Sequence, residues 1–192
     1  GMLAGNDQSL LNDFFKNGHY KNEYLTIRSV KAFIDGALGS RGAALHEPYC
    51  DDTNNCGLIL ISKEDFRNLA QLCYKNNYQL NTHAIGDNAN RVVLNAYRDA
   101  LFNYRDPRWR VEHAQILKEE DIELFNQKII PSVQPTHATS DMYWLYDRIG
   151  KERAKNAYAY QDLLEKSTVI AFGTDFPVED INPIMTFLSL IH

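Results

Sequence analysis

The stretch YQLNTHAIGDNANRVVLNAYRDALFNYRDPRWRVEH, residues 78–113, combines the features of two short strands with those of one amphipathic helix. The segments Tyr78–His83 and Trp109–His113 have the length of short strands, and each ends in a histidine. A helix opens between them at Asp87 or Asn88. Its apolar positions are Val92, Val93, Ala96 and Leu101. A strand, a helix and a second strand in this order predict two parallel strands joined by a helical crossover.

The same alternation extends outward in both directions along the chain. Beyond the two strands above, we predict strands at Tyr24–Ile34, Ile129–Gln134 and Thr168–Phe172, the last of them buried. Further helices are predicted at Gln8–Lys16, from a Ser62 cap to about Lys75, at Lys118–Asn126, within Tyr143–Leu164 with a break near Gly150, and from Asn182 to His192. Regular alternation favours a parallel sheet with helices outside it, in a doubly wound sheet or a (β/α)8 barrel.

Composition and charge exclude several classes of protein. The chain has 192 residues, 44% of them hydrophobic and 23% charged, which is typical of a globular protein. Its formal net charge of −5 argues against a nucleic acid as the main partner. No apolar run approaches the roughly 18 residues of a membrane span, so no membrane partner is expected. Three cysteines without a CxxC pair, and a start unlike a signal peptide, predict a cytoplasmic location.

Polar residues stand where the predicted strands end. His83, His113 and Gln134 close three strands, and Asp175 follows a fourth. The carboxyl ends of parallel strands face the functional site, so these side chains are expected on one rim. Histidine and carboxylate groups from different strands suit a divalent metal such as zinc. One such histidine alone is more often structural, and Asp175 alone is more often a helix cap, but together they favour a metal site.

Other polar residues are more ambiguous. Lys31 lies in the apolar run VKAFI, where it either extends its amine to solvent or takes part in chemistry. His137 follows a strand end and can face the same rim. The loop Asp35–Gly57 is long enough to be either functional or disordered. No P-loop, GxGxxG or GxSxG motif occurs, which disfavours nucleotide binding and serine hydrolysis.

Six ordered segments together resemble the amidohydrolase superfamily, and more narrowly its amidohydrolase-3 group, the branch that includes N-substituted formamide deformylase. The segments are VKAFIDGALGSRGAAL (30–45), EPY (47–49), NTHAIGDNA (81–89), RVEHAQ (110–115), SVQPTHATSD (132–141) and FGTDFPVE (172–179). The resemblance covers roughly residues 24–190. It implies an α/β fold, a (β/α)8 TIM barrel of a metal-dependent hydrolase, of which this chain holds about strands four to eight.

The resemblance also implies a set of site residues. The metal ligands would be Lys31, His83, His113 and Asp175, holding one or two divalent ions, with zinc expected. Asp175 would also be the catalytic proton carrier, and Lys31 can be carboxylated in such proteins. Arg41 and His137 would contact a small-molecule substrate. The implied reaction is hydrolysis of a carbon–nitrogen bond other than a peptide bond by a metal-activated hydroxide.

One departure from the family pattern bears on activity. The family carries a His-x-His pair at the end of strand one, and this chain contains no His-x-His. We therefore expect residues 1–192 to form a single incomplete barrel domain, inactive alone, with an empty or singly occupied metal site and an unmodified Lys31. Unpaired barrel edges would favour homo-oligomers. A non-catalytic binding or regulatory protein that kept the barrel segments remains the alternative.

Overall fold

The computed structural model describes residues 1–103, 107–126 and 128–190 and contains one six-stranded sheet. In spatial order its strands are β1 (Met2–Ala4), β4 (Ser29–Phe33), β5 (Gln79–Ala84), β6 (Trp109–His113), β7 (Ile129–Val133) and β8 (Ala171–Phe172). Every neighbouring pair is parallel, as predicted. The strands β2 (Tyr20–Lys21) and β3 (Thr26–Ile27) form a separate antiparallel hairpin.

Eight helices are described, and most of the predicted end signals operate in them. They are α1 (Gln8–Asn17), α2 (Lys63–Lys75), α3 (Asp87–Ala100), α4 (Glu119–Ile122), α5 (Pro135–Asp141), α6 (Leu145–Ala154), α7 (Tyr160–Ser167) and α8 (Pro183–Leu188). Ser62 caps α2 by accepting from the Asp65 amide, and Asn182 caps α8 by accepting from the Ile184 amide. Gly150 interrupts α6 with a φ of 72°. None of these helices has the length and apolar content that a membrane span requires.

The main core lies on one face of the sheet, and this distinguishes the two candidate architectures. Val30, Leu80 and Val111 point from β4, β5 and β6 into a single cluster of buried side chains. Helices α1, α2, α3 and α7 contribute to this same cluster. On the other face of β4, Lys31 is half-buried and Phe33 is exposed. A doubly wound sheet carries helices on both faces, whereas helices on one face are typical of part of a (β/α)8 barrel.

The strand predictions need three corrections. Tyr24–Ile34 is not one strand, because the Asn22 side chain accepts from the Tyr24 and Leu25 amides and turns the chain into the β2–β3 hairpin. A strand precedes it: β1 pairs with β4, but three residues are too few to show an alternating pattern. The predicted buried strand Thr168–Phe172 shrinks to β8. Its residues are half-buried or exposed because β8 has a described neighbour, β7, on one side only.

Two helices also differ from expectation. The predicted helix Lys118–Asn126 is a single turn, α4. Helix α5 was not predicted, although Pro135 at its first position suits a helix start. The last helix begins as expected after Asn182, but it ends at Leu188, where Ser189 is the cap, and not at His192, which lies outside the described residues.

The long loop Asp35–Gly57 is ordered and packs against the sheet. Leu38, Ala43, Leu45 and Tyr49 are buried in a second apolar cluster, together with Ile85 from the segment that follows β5. The loop approaches that segment so closely that a Cβ on Gly86 would lie 2.0 Å from the Ala44 carbonyl oxygen. Glycine is therefore required at this contact.

We expect the two edge strands of the sheet to cause copies of this chain to associate. Among the described strands, β1 and β8 each have a neighbour on one side only, and both run in the same direction. Beside them the chain exposes large apolar side chains: Met2, Phe33, Phe172, Phe176, Val178, Ile184 and Phe187. We propose that β8 of one copy pairs with β1 of a second copy in the same parallel sense. Light scattering at tens of micromolar should show a dimer or larger species, and a clean monomer would refute this.

Candidate metal site

Three side chains with metal-binding atoms converge at the carboxyl ends of β6, β7 and β8. His113 is the last residue of β6, His137 lies in the first turn of α5 directly after β7, and Asp175 follows β8. Their ligand atoms all lie within 4.8 Å of one another. The Nε2 atom of His137 is 3.6 Å from Oδ2 of Asp175, and the rings of His113 and His137 stack with centroids 5.8 Å apart. The geometry therefore offers two imidazoles and one carboxylate.

Two of these three residues have a left-handed backbone. The φ angles are 76° at His113 and 58° at Asp175, and Ala114 follows His113 with 45°. Such conformations cost non-glycine residues roughly 1–3 kcal/mol each and tend to cluster at functional sites. Strict alternation along β6 would place His113 on the same face as the core residue Val111. The ring instead packs beside His83 and His137.

Gln134 fixes the tautomer of His113. The Nδ1 atom of His113 lies 2.7 Å from Oε1 of Gln134, and the Gln134 amide nitrogen donates to the Ser132 carbonyl. Because Oε1 can only accept, Nδ1 carries the proton. The lone pair of Nε2 is left for another partner, which is how histidine ligands are usually oriented.

The surroundings keep His113 neutral. Burial lowers the pKa of His113 to about 3, and the electrostatic effects of His83, His137 and Lys31 act in the same direction. The hydrogen bond to Gln134 opposes this shift only in part. A neutral imidazole at neutral pH is the form that binds metals.

The residues present fit a divalent metal ion. The Nε2 atom of His137 is buried and has no hydrogen-bond partner, although an isolated buried nitrogen of this kind is costly. Zinc–nitrogen bonds of about 2.0–2.1 Å place tetrahedral ligand atoms roughly 3.3 Å apart. The observed distance of 3.6 Å between His137 and Asp175 is close to this value. An ion bound between them would satisfy the otherwise unpaired nitrogen.

His83 lies next to this group rather than within it. Its ring centroid is 4.6 Å from that of His113, but its Nε2 atom lies 3.4 Å from Oδ1 of Asp35. That nitrogen is buried and makes no hydrogen bond of good geometry. Asp35 itself already accepts three hydrogen bonds, from the backbone amides of Ala44, Ile85 and Gly86.

Lys31 points from β4 toward the same open face. Its ammonium nitrogen lies 4.7 Å from the centroid of the Phe33 ring. Burial lowers the pKa of Lys31, while the carboxylates of Glu112 and Asp175 raise it. Lys31 thus shares an electrostatic environment with the candidate metal ligand Asp175.

The guanidinium of Arg41, which was expected to contact substrate, forms a salt bridge within the protein instead. Its Nε and Nη2 atoms both donate to the carboxylate of Asp51, at 3.0 Å each. Arg148 pairs with the same carboxylate and also donates to the Gly39 carbonyl. This paired geometry fixes the loop, and a substrate would have to compete with Asp51 for the guanidinium of Arg41.

Sequence reasoning named His137 and Gln134 without the contacts that the structure shows for them, and it left out Asp35. His137 was expected at the substrate, yet its nitrogen lies among the candidate ligand atoms. Asp35 was not singled out, although it follows β4 even more closely than Asp175 follows β8, and this position was a usable signal. Gln134 was noted as a polar strand end, but nothing in the sequence indicated its bond to His113.

The depressed pKa of His113 predicts a specific pH dependence of stability. The unfolded chain takes up a proton at this residue near the ordinary pKa of 6.5, whereas the folded chain does so only near about 3. The stabilisation is therefore complete above 6.5 and is lost as the pH falls toward 3. Between about pH 7 and pH 5 this linkage amounts to about 2 kcal/mol of unfolding free energy.

The measurement is urea unfolding of the parent chain and of His113→Asn at both pH values. The parent should lose about 2 kcal/mol more than the variant over this interval. Equal losses in the two proteins would show that His113 titrates normally in the folded state.

Comparison with known proteins shows the family to which the chain belongs. The model of the amidohydrolase family matches residues 2–191. The protein LONG AFTER FAR-RED 3 of Arabidopsis thaliana is 41% identical over 186 residues, covering 95% of this chain and 32% of that protein. The putative amidohydrolase YtcJ of Bacillus subtilis is 36% identical over 170 residues, covering 88% and 32%. The chain thus spans about a third of the length of these relatives.

Solved structures give the same result. An uncharacterized metal-dependent hydrolase from Pyrococcus furiosus superimposes with a TM-score of 0.87 at 31% identity, covering 98% of this chain and 39% of that one. Its counterpart from Pyrococcus horikoshii gives 0.85 at 30% identity, with 98% and 38% covered. The expected part of a metal-dependent hydrolase barrel is thereby confirmed. With a family match over nearly its whole length, the chain belongs to the amidohydrolase family.

Proposed function

We propose that the protein to which this chain corresponds is a metal-dependent hydrolase of carbon–nitrogen bonds other than peptide bonds. The observation that carries this proposal is the convergence of His113, His137 and Asp175 at the carboxyl ends of three parallel strands. Family membership supports the reaction class, and the related metal-dependent hydrolases support the need for a metal.

The ligands of the metal would be His113, His137 and Asp175. The set of two nitrogens and one oxygen suits zinc, which is the metal we propose. His83 is 4.6 Å from His113 between ring centroids, and Lys31 lies within the electrostatic reach of Asp175. We therefore propose His83 and Lys31 as further ligands, although neither belongs to the group of three converging ligand atoms.

In the proposed reaction, an amide-like substrate and water yield a carboxylic acid and an amine. A bound metal would supply an acidified water molecule and polarise the carbonyl oxygen of the substrate. Asp175 accepts the proton from the attacking water and passes it to the leaving nitrogen, so that the carbon–nitrogen bond breaks as the amine is protonated. The side chain of Asp175 is 35% exposed, so it is accessible to both water and substrate.

The chain alone is proposed to bind metal weakly and to lack turnover. The face that carries Lys31 and Phe33 is open in the described structure, and Phe33 is 54% exposed. An open site admits bulk water, which weakens the electrostatic interactions that hydrolysis needs. The chain also has no His-x-His pair to complete a second metal position.

We expect the purified chain to hold at most one zinc ion and to show no hydrolysis of N-formyl or N-acyl amines. The informative comparison is a fusion in which this chain replaces the matched segment of the Bacillus subtilis relative, so that the rest of that protein is present. The fusion should recover both zinc binding and turnover, at the roughly 1–1,000 per second that is typical of enzymes.

The matched control is the same fusion with Asp175→Asn, which keeps the size of the side chain but removes its proton acceptor. It should fold normally and lose most of its turnover. A fusion that folds and retains zinc but cleaves none of the N-formyl or N-acyl amines would contradict the proposed reaction. That result would favour a binding or regulatory protein. Two zinc ions per chain in the unfused protein would contradict the proposed weakness of the isolated site.

A further inference from the structure

Three polar side chains meet directly behind the candidate metal site. Gln115 is 3% exposed, and its amide nitrogen donates to Oδ2 of Asp141 at 2.8 Å. The hydroxyl of Tyr158 donates to the same carboxylate oxygen and in turn accepts from the Gln115 amide. We call these three residues the clamp. Each member of the clamp is hydrogen-bonded to both of the others.

The clamp has a fixed direction of hydrogen bonding. Burial raises the pKa of Tyr158, and the neighbouring Asp141 carboxylate raises it further. The phenol therefore stays protonated and donates to the carboxylate. Such a closed and buried network is stable only when every member is present, because removal of one leaves the others unsatisfied.

The clamp joins the two segments that carry the histidines of the site. Asp141 lies four residues after His137 on α5, which places both on the same side of one helical turn. Gln115 lies two residues after His113. Outside the clamp, the Tyr158 amide donates to the Gln115 carbonyl at 2.8 Å, so the backbone is tied there as well.

The clamp residue Gln115 directly follows the two residues that have a left-handed backbone. His113 and Ala114 have φ angles of 76° and 45°, and the left-handed conformation directs the His113 ring toward His137. Conformations of this cost persist only where surrounding contacts determine them. The hydrogen bonds of Gln115 are the nearest side-chain contacts after this turn that can do so.

We propose that Asp141, Tyr158 and Gln115 are positioning residues that fix the spacing and orientation of His113 and His137. This role rests on the proposed metal site, but its geometric part concerns the histidine rings themselves. It predicts that loss of the clamp changes the histidines even in the metal-free protein.

The test compares Tyr158→Phe and Asp141→Asn with the parent chain. The matched control is Tyr78→Phe. The Tyr78 hydroxyl also donates hydrogen bonds, to the carbonyls of Phe14 and Gly18, but Tyr78 lies at the opposite end of β5 from the site. All three variants should lose some thermal stability. Only the two clamp variants should affect the site.

The first readout is NMR of the histidine ring nitrogens in metal-free protein, with His113 and His137 assigned from their Asn variants. The second is titration with cobalt(II), followed by visible absorption. We expect shifted His113 and His137 signals in both clamp variants and a loss of cobalt affinity of about 10–100-fold. Tyr78→Phe should leave both readouts at the parent values.

Unchanged histidine signals in Tyr158→Phe would overturn the proposal, whatever the loss of stability. The same holds if Tyr78→Phe shifts them as much as the clamp variants do. Weak cobalt binding by the parent chain is expected, whereas no binding even at saturating cobalt would contradict the proposed metal site. The ring signals decide the positioning role in either case. If Asp141→Asn does not fold, the comparison of Tyr158→Phe with Tyr78→Phe decides alone.

Discussion

The buried carboxylate of Asp35 determines how the parts around the candidate site fit together. It is 1% exposed and accepts from the backbone amides of Ala44, Ile85 and Gly86, so that one side chain ties the long loop to the turn between β5 and α3. The same carboxylate borders His83. A buried carboxylate is tolerable only with such donors around it, so moving the loop away from the turn would remove donors on which the buried Asp35 carboxylate depends.

The arrangement of ligands depends on backbone turns as much as on strand order. Parallel strands bring His83, His113 and Asp175 to one rim, but alternation alone would direct His113 into the core. The left-handed turn at His113 and the helix that starts after β7 bring the His113 and His137 rings together. The site is thus assembled from one strand end, one helix start and one loop.

Sequence reasoning found the parallel sheet and the positions of the strand ends, because both follow from periodic patterns that many residues repeat. It failed where the boundary of an element or the position of a side chain depends on a single contact. The Asn22 side chain splits the segment Tyr24–Ile34, and β1 is too short to carry a pattern. The place of His137 among the ligand atoms depends on α5, whose start after Pro135 was not predicted.

The most direct test of the metal site is anomalous diffraction at the zinc absorption edge, on crystals of the chain grown with zinc. One peak is predicted within bonding distance, about 2.0–2.2 Å, of His113, His137 and Asp175 together. A zinc peak held elsewhere in the chain, with these three side chains left without metal at saturating zinc, would contradict the site described above.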